Sequence, residues 1–287
     1  MAFSSMTELA PGKVFAIQNS FELDGRISAY PKSARGACVS NCYLIREPDG
    51  AFLLDTGYGA HEKPILAQLA SVLEPDVPLT LVPTRINEFM SVGNGMAIAE
   101  RFNVVMCYSP QPDAADWLDF KAVDPGAERR EIPTTLLRGL LNLDVGSAGE
   151  RMIDVFSAPL RLINTTWVFD PETRILFSSD MFTHRSQPTD AGPWLIEEDR
   201  VTTSAFVRSF LLDTRYWWLE GAETGSLRRG IADVIERYDI DMIAPGYGAI
   251  FKGRELVERQ FAVLDDVLRE LDCSVTKPAY VPRGKRR

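Results

Sequence analysis

Short apolar runs that stop abruptly in polar or glycine-bearing loops punctuate this sequence, and they limit its fold more than any other feature. Early runs are Cys42–Ile45 (CYLI), Ala51–Leu54 (AFLL) before DTGYG, Leu79–Val82 (LTLV) before PTRINE, and Val104–Cys107 (VVMC). Later ones are Met152–Phe156 before SAPLR, Thr166–Phe169 before DPET, Arg174–Phe177 before SSD, and Asp241–Ala244 before PGYG. Their short length, β-branched content and Gly/Pro boundaries favour strands over pieces of helix. EPDG (Glu47–Gly50) and DPET (Asp170–Thr173) supply turn residues between neighbouring runs and read as tight hairpins.

Between the runs, apolar residues recur at helical spacing over Glu62–Leu73, Gly95–Phe102, Ala205–Leu212, Gly225–Tyr238 and Glu255–Leu271. Strands and hairpins interleaved with helices predict a layered α/β domain. The stretch from PQPDAADWLDF to LLNLDVGSAGE is less regular and reads as further strands with loops. FLLDTG and ILFSSD echo one another, each an apolar strand delivering an aspartate at its end, as two halves of similar design would.

Composition narrows the partners. The net charge of −9 and a pI near 4.9 argue against nucleic acid or an anionic membrane, which need a basic face. The basic C-terminal PRGKRR reads as a solvated tail. Four cysteines do not make a disulfide framework, and the Cys38/Cys42 pair has no second Cys/His pair to complete a metal site. The N-terminal MAFSSMTELAPGK lacks a basic segment followed by an apolar one, and no apolar run is long enough to span a membrane. A cytoplasmic protein is expected.

Chemistry is expected in the loops at strand ends. The loop Pro83–Asn94, PTRINEFMSVGN, offers an arginine, an asparagine, a glutamate, a phenylalanine and a methionine, an unusual set for catalysis. Taken with NCYLI–EPDG–AFLLDTG before it, and SAPLRLINTTWVFDPETRILFSSD and DMIAPGYGAI after it, the chain resembles the metallo-β-lactamase superfamily. TRYWW (Thr214–Trp218) and FSSDMF make the flavodiiron and related di-iron oxygen-binding branch the nearest. The resemblance covers about Val14 to Gly253. It implies a four-layered αββα sandwich, one domain spanning residues 1–287, with the site at the shared edge of both sheets.

Members of that superfamily hold two metals through a His-x-His/Glu-x-Asp-His signature, a further His, a bridging Asp and a last His in PGHG. Carried onto this chain, the signature falls on Arg85, Asn87, Phe89 and Met90, and the further His on or beside Arg161. The bridging Asp falls on Asp180 and the last His on Tyr247, so Asp180 alone matches. The residues themselves point the same way. Zinc and iron need deprotonated donors, whereas arginine stays protonated and has no lone pair to give. The chain has only two histidines, His61 and His184, so no rearranged His-rich site is available. No metal or other cofactor is expected. No flavodoxin-like domain is expected after Gly253, so the resemblance implies no flavin.

The expected pocket is lined by Arg85, Asn87, Glu88, Arg161, Asp180 and Tyr247, with Asp55 and His184 behind. Arg85, Asn87, Arg161 and Asp55 are candidates for binding an anionic or polar small molecule. Glu88 with His184, or Asp180 with Tyr247, are candidates for acid–base chemistry, with an arginine to stabilise an oxyanion. The alternative is that the arginines pair with Asp180, Asp55 or Glu88 and fill a defunct cavity. No Gly-x-Ser-x-Gly elbow or Ser-x-x-Lys motif is present. Gly93-Asn94-Gly95 opens a helix whose amides could meet an anion, or simply starts it. Tyr43 is assigned to core packing, and one of Trp217 and Trp218 to a subunit interface or pocket wall. Three functions remain open: a metal-free binding or catalytic protein, a hydrolase or di-iron oxidoreductase using atypical ligands such as Glu88, Asp180 and His184, and a scaffold without a ligand. The resemblance further implies a homodimer.

Overall fold

The EPDG and DPET turns each join two antiparallel strands. Strands β3 (Ala37–Glu47) and β4 (Gly50–Leu54) pair antiparallel with Glu47 opposite Gly50. Strands β10 (Thr166–Asp170) and β11 (Ile175–Ser179) pair likewise, with Asp170 opposite Ile175. A computed structural model describes residues 3–85, 89–112, 114, 131–161 and 164–273, the side chain of Phe89 excepted. Within it, each hairpin belongs to its own seven-stranded sheet.

The first sheet runs in chain order: β1 (Ser4–Ala10), β2 (Val14–Glu22), β3, β4, β5 (Leu79–Val82), β6 (Val104–Ser109) and β7 (Thr134–Leu136). The second contains β8 (Leu141–Asp144), β9 (Met152–Ser157), β10, β11, β12 (Leu195–Ile196), β13 (Met242–Pro245) and β14 (Ile250–Lys252). Its spatial order is β12-β14-β13-β11-β10-β9-β8. The helices are α1 (Glu62–Ala70), α2 (Phe89–Val92), α3 (Gly95–Arg101), α4 (Ser204–Leu212), α5 (Gly225–Arg237) and α6 (Arg254–Leu271). The helical spacing read from sequence gives these boundaries to within a few residues for all but α2, which lies in the stretch read as the Pro83–Asn94 loop.

Alternation along the strands makes the layers. On β3, Tyr43 and Ile45 face between the sheets, where they join Phe52, Leu54, Val155, Val168 and Phe177. Cys42 and Leu44 face the other way, toward Ile65 and Leu69 of α1 and Ile98 of α3. On the second sheet, Trp167, Leu176 and Ile243 meet Phe210, Ile231 and Phe261 from α4, α5 and α6. Helices thus cover both outer faces, and the αββα sandwich expected from the resemblance is observed.

Four of the described strands escape the sequence reading: the short β12 and β14, and β1 and β2. The N-terminal segment, noted there only for lacking a secretory signal, forms β1 at the edge of the first sheet and pairs with β2. β2 is buried through its polar residues Gln18, Asn19 and Ser20, which hide its apolar character in the sequence. They are satisfied internally: Gln18 Nε2 donates to Asn41 Oδ1 at 3.0 Å, and Asn19 Oδ1 accepts from Ser4 Oγ at 2.7 Å.

One buried cation clamps the sheets at the hairpin end of the sandwich. The Arg151 side chain is 2% exposed, lies 2.9 Å from Glu47 of β3, and pairs at 2.5 Å with fully buried Asp170 of β10. Among the described residues, no helix is long and apolar enough to cross a membrane.

Candidate functional site

At the opposite end of the strands, the chain builds one polar edge. Parallel pairing of β4 with β5, and of β11 with β13, brings their C-terminal ends together. The echo between FLLDTG and ILFSSD has a counterpart here. Asp55, just after β4, and Ser179, closing β11, both adopt positive φ (61° and 52°), so the backbone turns sharply as it leaves each sheet.

Thr84, just after β5, ties the two turns. Its backbone N–H donates to Asp55 Oδ1 at 2.7 Å, and its hydroxyl reaches Asp55 Oδ2 at 2.9 Å and Ser179 Oγ at 2.8 Å. Burial pushes the Asp55 carboxyl pKa up, opposed by the charge of Arg85 and by hydrogen bonds from Thr84 and Ser91. Asp55 is therefore a sealed support behind the site.

Arg85 follows Thr84 and turns inward. Its backbone bridges to Thr165, and its side chain is 3% exposed. Nη1 pairs with Asp180 Oδ1, Nη2 approaches the Met90 sulfur at 2.8 Å, and the guanidinium carbon sits 4.6 Å from the centre of the Tyr247 ring. Asp180, its side chain 8% exposed, accepts a second bond from Thr165 Oγ1 at 3.3 Å. A guanidinium held by a carboxylate and a ring face uses both of its recognition modes together. Gly246 makes the approach possible, because a Cβ there would overlap Nη2 of Arg85.

The PGYG turn that carries Tyr247 is fixed from β3. Asn41 Nδ2 donates to the carbonyls of Pro245 (2.8 Å) and Gly248 (3.0 Å), and the Tyr43 hydroxyl donates to Pro245 at 2.6 Å. Tyr43 does pack in the core, with its ring 5.0 Å from Phe177, but it also holds this turn. The Tyr247 hydroxyl meets that of Tyr58 at 2.9 Å. Asn94 donates to the carbonyls of Thr56 (2.8 Å) and Tyr58 (3.0 Å), so the Gly93-Asn94-Gly95 segment holds the DTGYG loop.

Of the expected site residues, Arg85, Asp180 and Tyr247 come together, with Asp55 behind them. Two departures stand out. Arg161, expected beside Asp180, is exposed and donates to the Ala158 carbonyl at 2.6 Å, away from the cavity. His184 lies behind Asp180 as expected, but it is packed against Phe206, Phe210 and Phe251 rather than facing Tyr247 or Arg85. Burial lowers its pKa to about 4. Asn87 and Glu88 lie outside the described residues. Sequence reading missed Thr84, Thr165, Tyr58 and Arg215, the last of which joins Arg85, Asp180, Thr183, Thr214 and Tyr247 around the remaining space. That space is about 10 Å³, roughly enough for one water molecule. Trp217 is 52% exposed and Trp218 half-buried, both in a short 3₁₀ turn ahead of α5.

Solved structures share this architecture. The rubredoxin:oxygen oxidoreductase of the anaerobe Desulfovibrio gigas superposes with a TM-score of 0.67 at 16% identity, over 92% of this chain and 62% of its own. The fold is that of the flavodiiron proteins. The flavodiiron protein of Giardia intestinalis gives 0.60 at 13% identity, over 95% of this chain and 61% of its own. A fragment (residues 1–254) of a diflavin flavoprotein from Nostoc sp. gives 0.61 at 16%, over 94% and 98%. This chain thus spans about three fifths of the longer flavodiiron structures. No protein-family model matches the sequence, and no curated protein matches it either.

A di-iron pair is the group this flavodiiron-type fold brings to mind, and the described residues at the edge do not fit it. A buried guanidinium occupies the space beside Asp180 and offers five N–H donors and no lone pair. Among the described residues, no group of three or more His, Cys, Asp or Glu side chains is placed to hold a metal ion.

Proposed function

We propose that this chain is a metal-free protein of flavodiiron-type fold that acts without catalysis, its site closed by its own cation. One observation carries the reading: the Arg85 guanidinium is buried against Asp180 and the Tyr247 ring at the edge where the sheets converge. A divalent ion at Asp180 would lie within a few ångströms of that charge. Repulsion there is worth several kcal/mol even at an effective dielectric of about 20. Of the acid–base candidates, Asp180 is engaged by Arg85 and Thr165, and Tyr247 by Tyr58. In this reading the protein serves as a binding or scaffolding subunit, as a cytoplasmic homodimer. Elemental analysis after growth with added iron, zinc and manganese tests it. Far less than one metal per chain is expected, and a near-stoichiometric content overturns the proposal.

A second reading has its own support. Arg85 and Arg215 line the same small cavity with Thr183 and Thr214, a set whose chemistry suits a small anion or polar molecule once the cavity widens beyond its one-water space. A rise in melting temperature with acetate or phosphate, lost in Arg215→Ala, is its signature.

A further inference from the structure

The first sheet carries a line of polar side chains on the face that meets the second sheet. Thr7 of β1 stands opposite Ala16 of β2, and Gln18 of β2 stands opposite Asn41 of β3, so all three share the face of Ala16 and Tyr43. Thr7 is half-buried, and Gln18 and Asn41 are fully buried. Thr7 Oγ1 donates to Gln18 Oε1 at 2.8 Å, and Gln18 Nε2 donates to Asn41 Oδ1 at 3.0 Å. Asn41 Nδ2 then donates to the carbonyls of Pro245 and Gly248. Apolar side chains would fill the same space without the cost of burying two amides, so the line calls for a role.

Its direction is fixed at the inner end. Backbone carbonyls only accept, so the Asn41 nitrogen must face Pro245 and Gly248, and its oxygen must face Gln18. Gln18 must then present its nitrogen to Asn41 and its oxygen to the Thr7 hydroxyl. Reversing either amide would set oxygen against oxygen. Gln18 therefore holds Asn41 from behind in the one orientation that grips the turn.

We infer that Gln18 is a positioning residue for the Arg85 site, acting through Asn41, and that Thr7 carries the same control out to the edge strand β1. The β3 backbone already sets how close the PGYG turn lies. Asn41 N–H donates to the Gly246 carbonyl at 3.0 Å, and Gly248 N–H donates to that of Val39 at 3.0 Å. The Asn41 amide adds the carbonyls of Pro245 and Gly248, one on each side of Tyr247. That ring lies 4.6 Å from the guanidinium carbon of Arg85, and Gly246 leaves the space that Nη2 occupies. A shift of the turn moves ring and gap together, and Arg85 loses both. The inference rests on where Arg85 is placed and not on what the site binds.

Exchange of guanidinium protons, followed by NMR on the full chain, reads the site. Arg151, buried at the opposite end of the sandwich, is the internal reference. Loss of one internal hydrogen bond shifts a local opening equilibrium by about fivefold. Gln18→Met removes two, and should speed exchange at Arg85 relative to Arg151 by about tenfold or more. Thr7→Val, on the half-buried edge strand, should do so by about threefold. Unchanged exchange at Arg85 in Gln18→Met overturns the inference. Equal acceleration at Arg85 and Arg151 overturns it too, because that marks a general loss of stability. Should Gln18→Met fail to fold, Thr7→Val decides by the same two criteria.

Discussion

Replacing Arg85 with methionine isolates the charge that closes the site. Methionine keeps an unbranched apolar stem, so the substitution removes the guanidinium with little loss of volume. Asp180, whose side chain is 8% exposed, then loses its ion pair and keeps only the Thr165 hydroxyl, at a long 3.3 Å. Stripping one partner from a buried ion pair costs about 3–5 kcal/mol, because the stranded charge is left desolvated. Losing the contact with the Tyr247 ring adds to this, and the better transfer of a thioether into the interior subtracts from it. A destabilisation of about 3–4 kcal/mol is expected, which for a chain of this size lowers the melting temperature by roughly 10 °C. Urea denaturation of Arg85→Met, Asp180→Asn and the double variant closes a cycle. The double variant should be more stable than the sum of the single losses predicts, by about 2–3 kcal/mol, since neither charge is then orphaned. If Arg85→Met stays within about 0.5 kcal/mol of wild type, or if the effects simply add, the guanidinium is not buried against Asp180 and the closed-site reasoning fails.

Arg151→Met should destabilise by a similar amount, about 3–5 kcal/mol, through the orphaned Asp170, which has no exposure of its own. Denaturant melts measure it, and a loss under about 1 kcal/mol would mean that the clamp between Glu47 and Asp170 holds nothing. His184 predicts a pH dependence. Its folded pKa of about 4 lies below the ordinary 6.5, so between these values the unfolded chain binds a proton that the folded chain refuses. Stability therefore falls as pH drops through that window, by at most about 1.4 kcal/mol per unit from this residue. Asp55 works in the opposite sense, because its raised pKa makes the folded chain the better proton acceptor above pH 3.8. A His184→Gln variant isolates the histidine: its stability profile should be flatter than wild type across the window, and equal slopes would contradict the burial of this ring.

Legibility in the sequence followed the physics of each segment. The strand at Leu79–Val82 was readable to the residue because it combines three apolar residues with a β-branched threonine and stops at a proline. β2 was not, because Gln18, Asn19 and Ser20 are buried by pairing with other polar groups, and a periodicity of apolar residues cannot register such partners. The same distinction divides the site. Arg85, Asp180 and Tyr247 sit at strand ends and turns, whose positions follow from the sheets. Arg161 sits past the end of β9, and its guanidinium takes a carbonyl three residues back rather than crossing to Asp180. Such a choice depends on local loop geometry. Thr84 and Thr165 gave no signal at all, since a threonine beside a strand is unremarkable until its hydroxyl is seen on an aspartate. Arg215 lay inside TRYWW, a motif noted for its aromatic residues.

The two aspartates delivered by the echoing strands show how far the closed site is part of the fold itself. Asp55 is engaged by Thr84, whose hydroxyl also reaches Ser179 of the other sheet, so its carboxylate has little left to offer. Asp180 leaves its strand by a similar turn but keeps an oxygen directed at the cavity, and there the chain supplies Arg85. The surroundings are shaped for that side chain. The backbone at Gly246 leaves the gap a Cβ would fill, Met90 presents a polarizable sulfur to Nη2, and Asn41 and Tyr43 hold the PGYG turn so that the Tyr247 ring lies under the guanidinium. A cation trapped by accident would not find a glycine, a thioether and an anchored ring arranged around it. The positive charge at this edge is therefore supplied by the chain as it folds, and an added cation would have to displace a side chain whose contacts span both sheets.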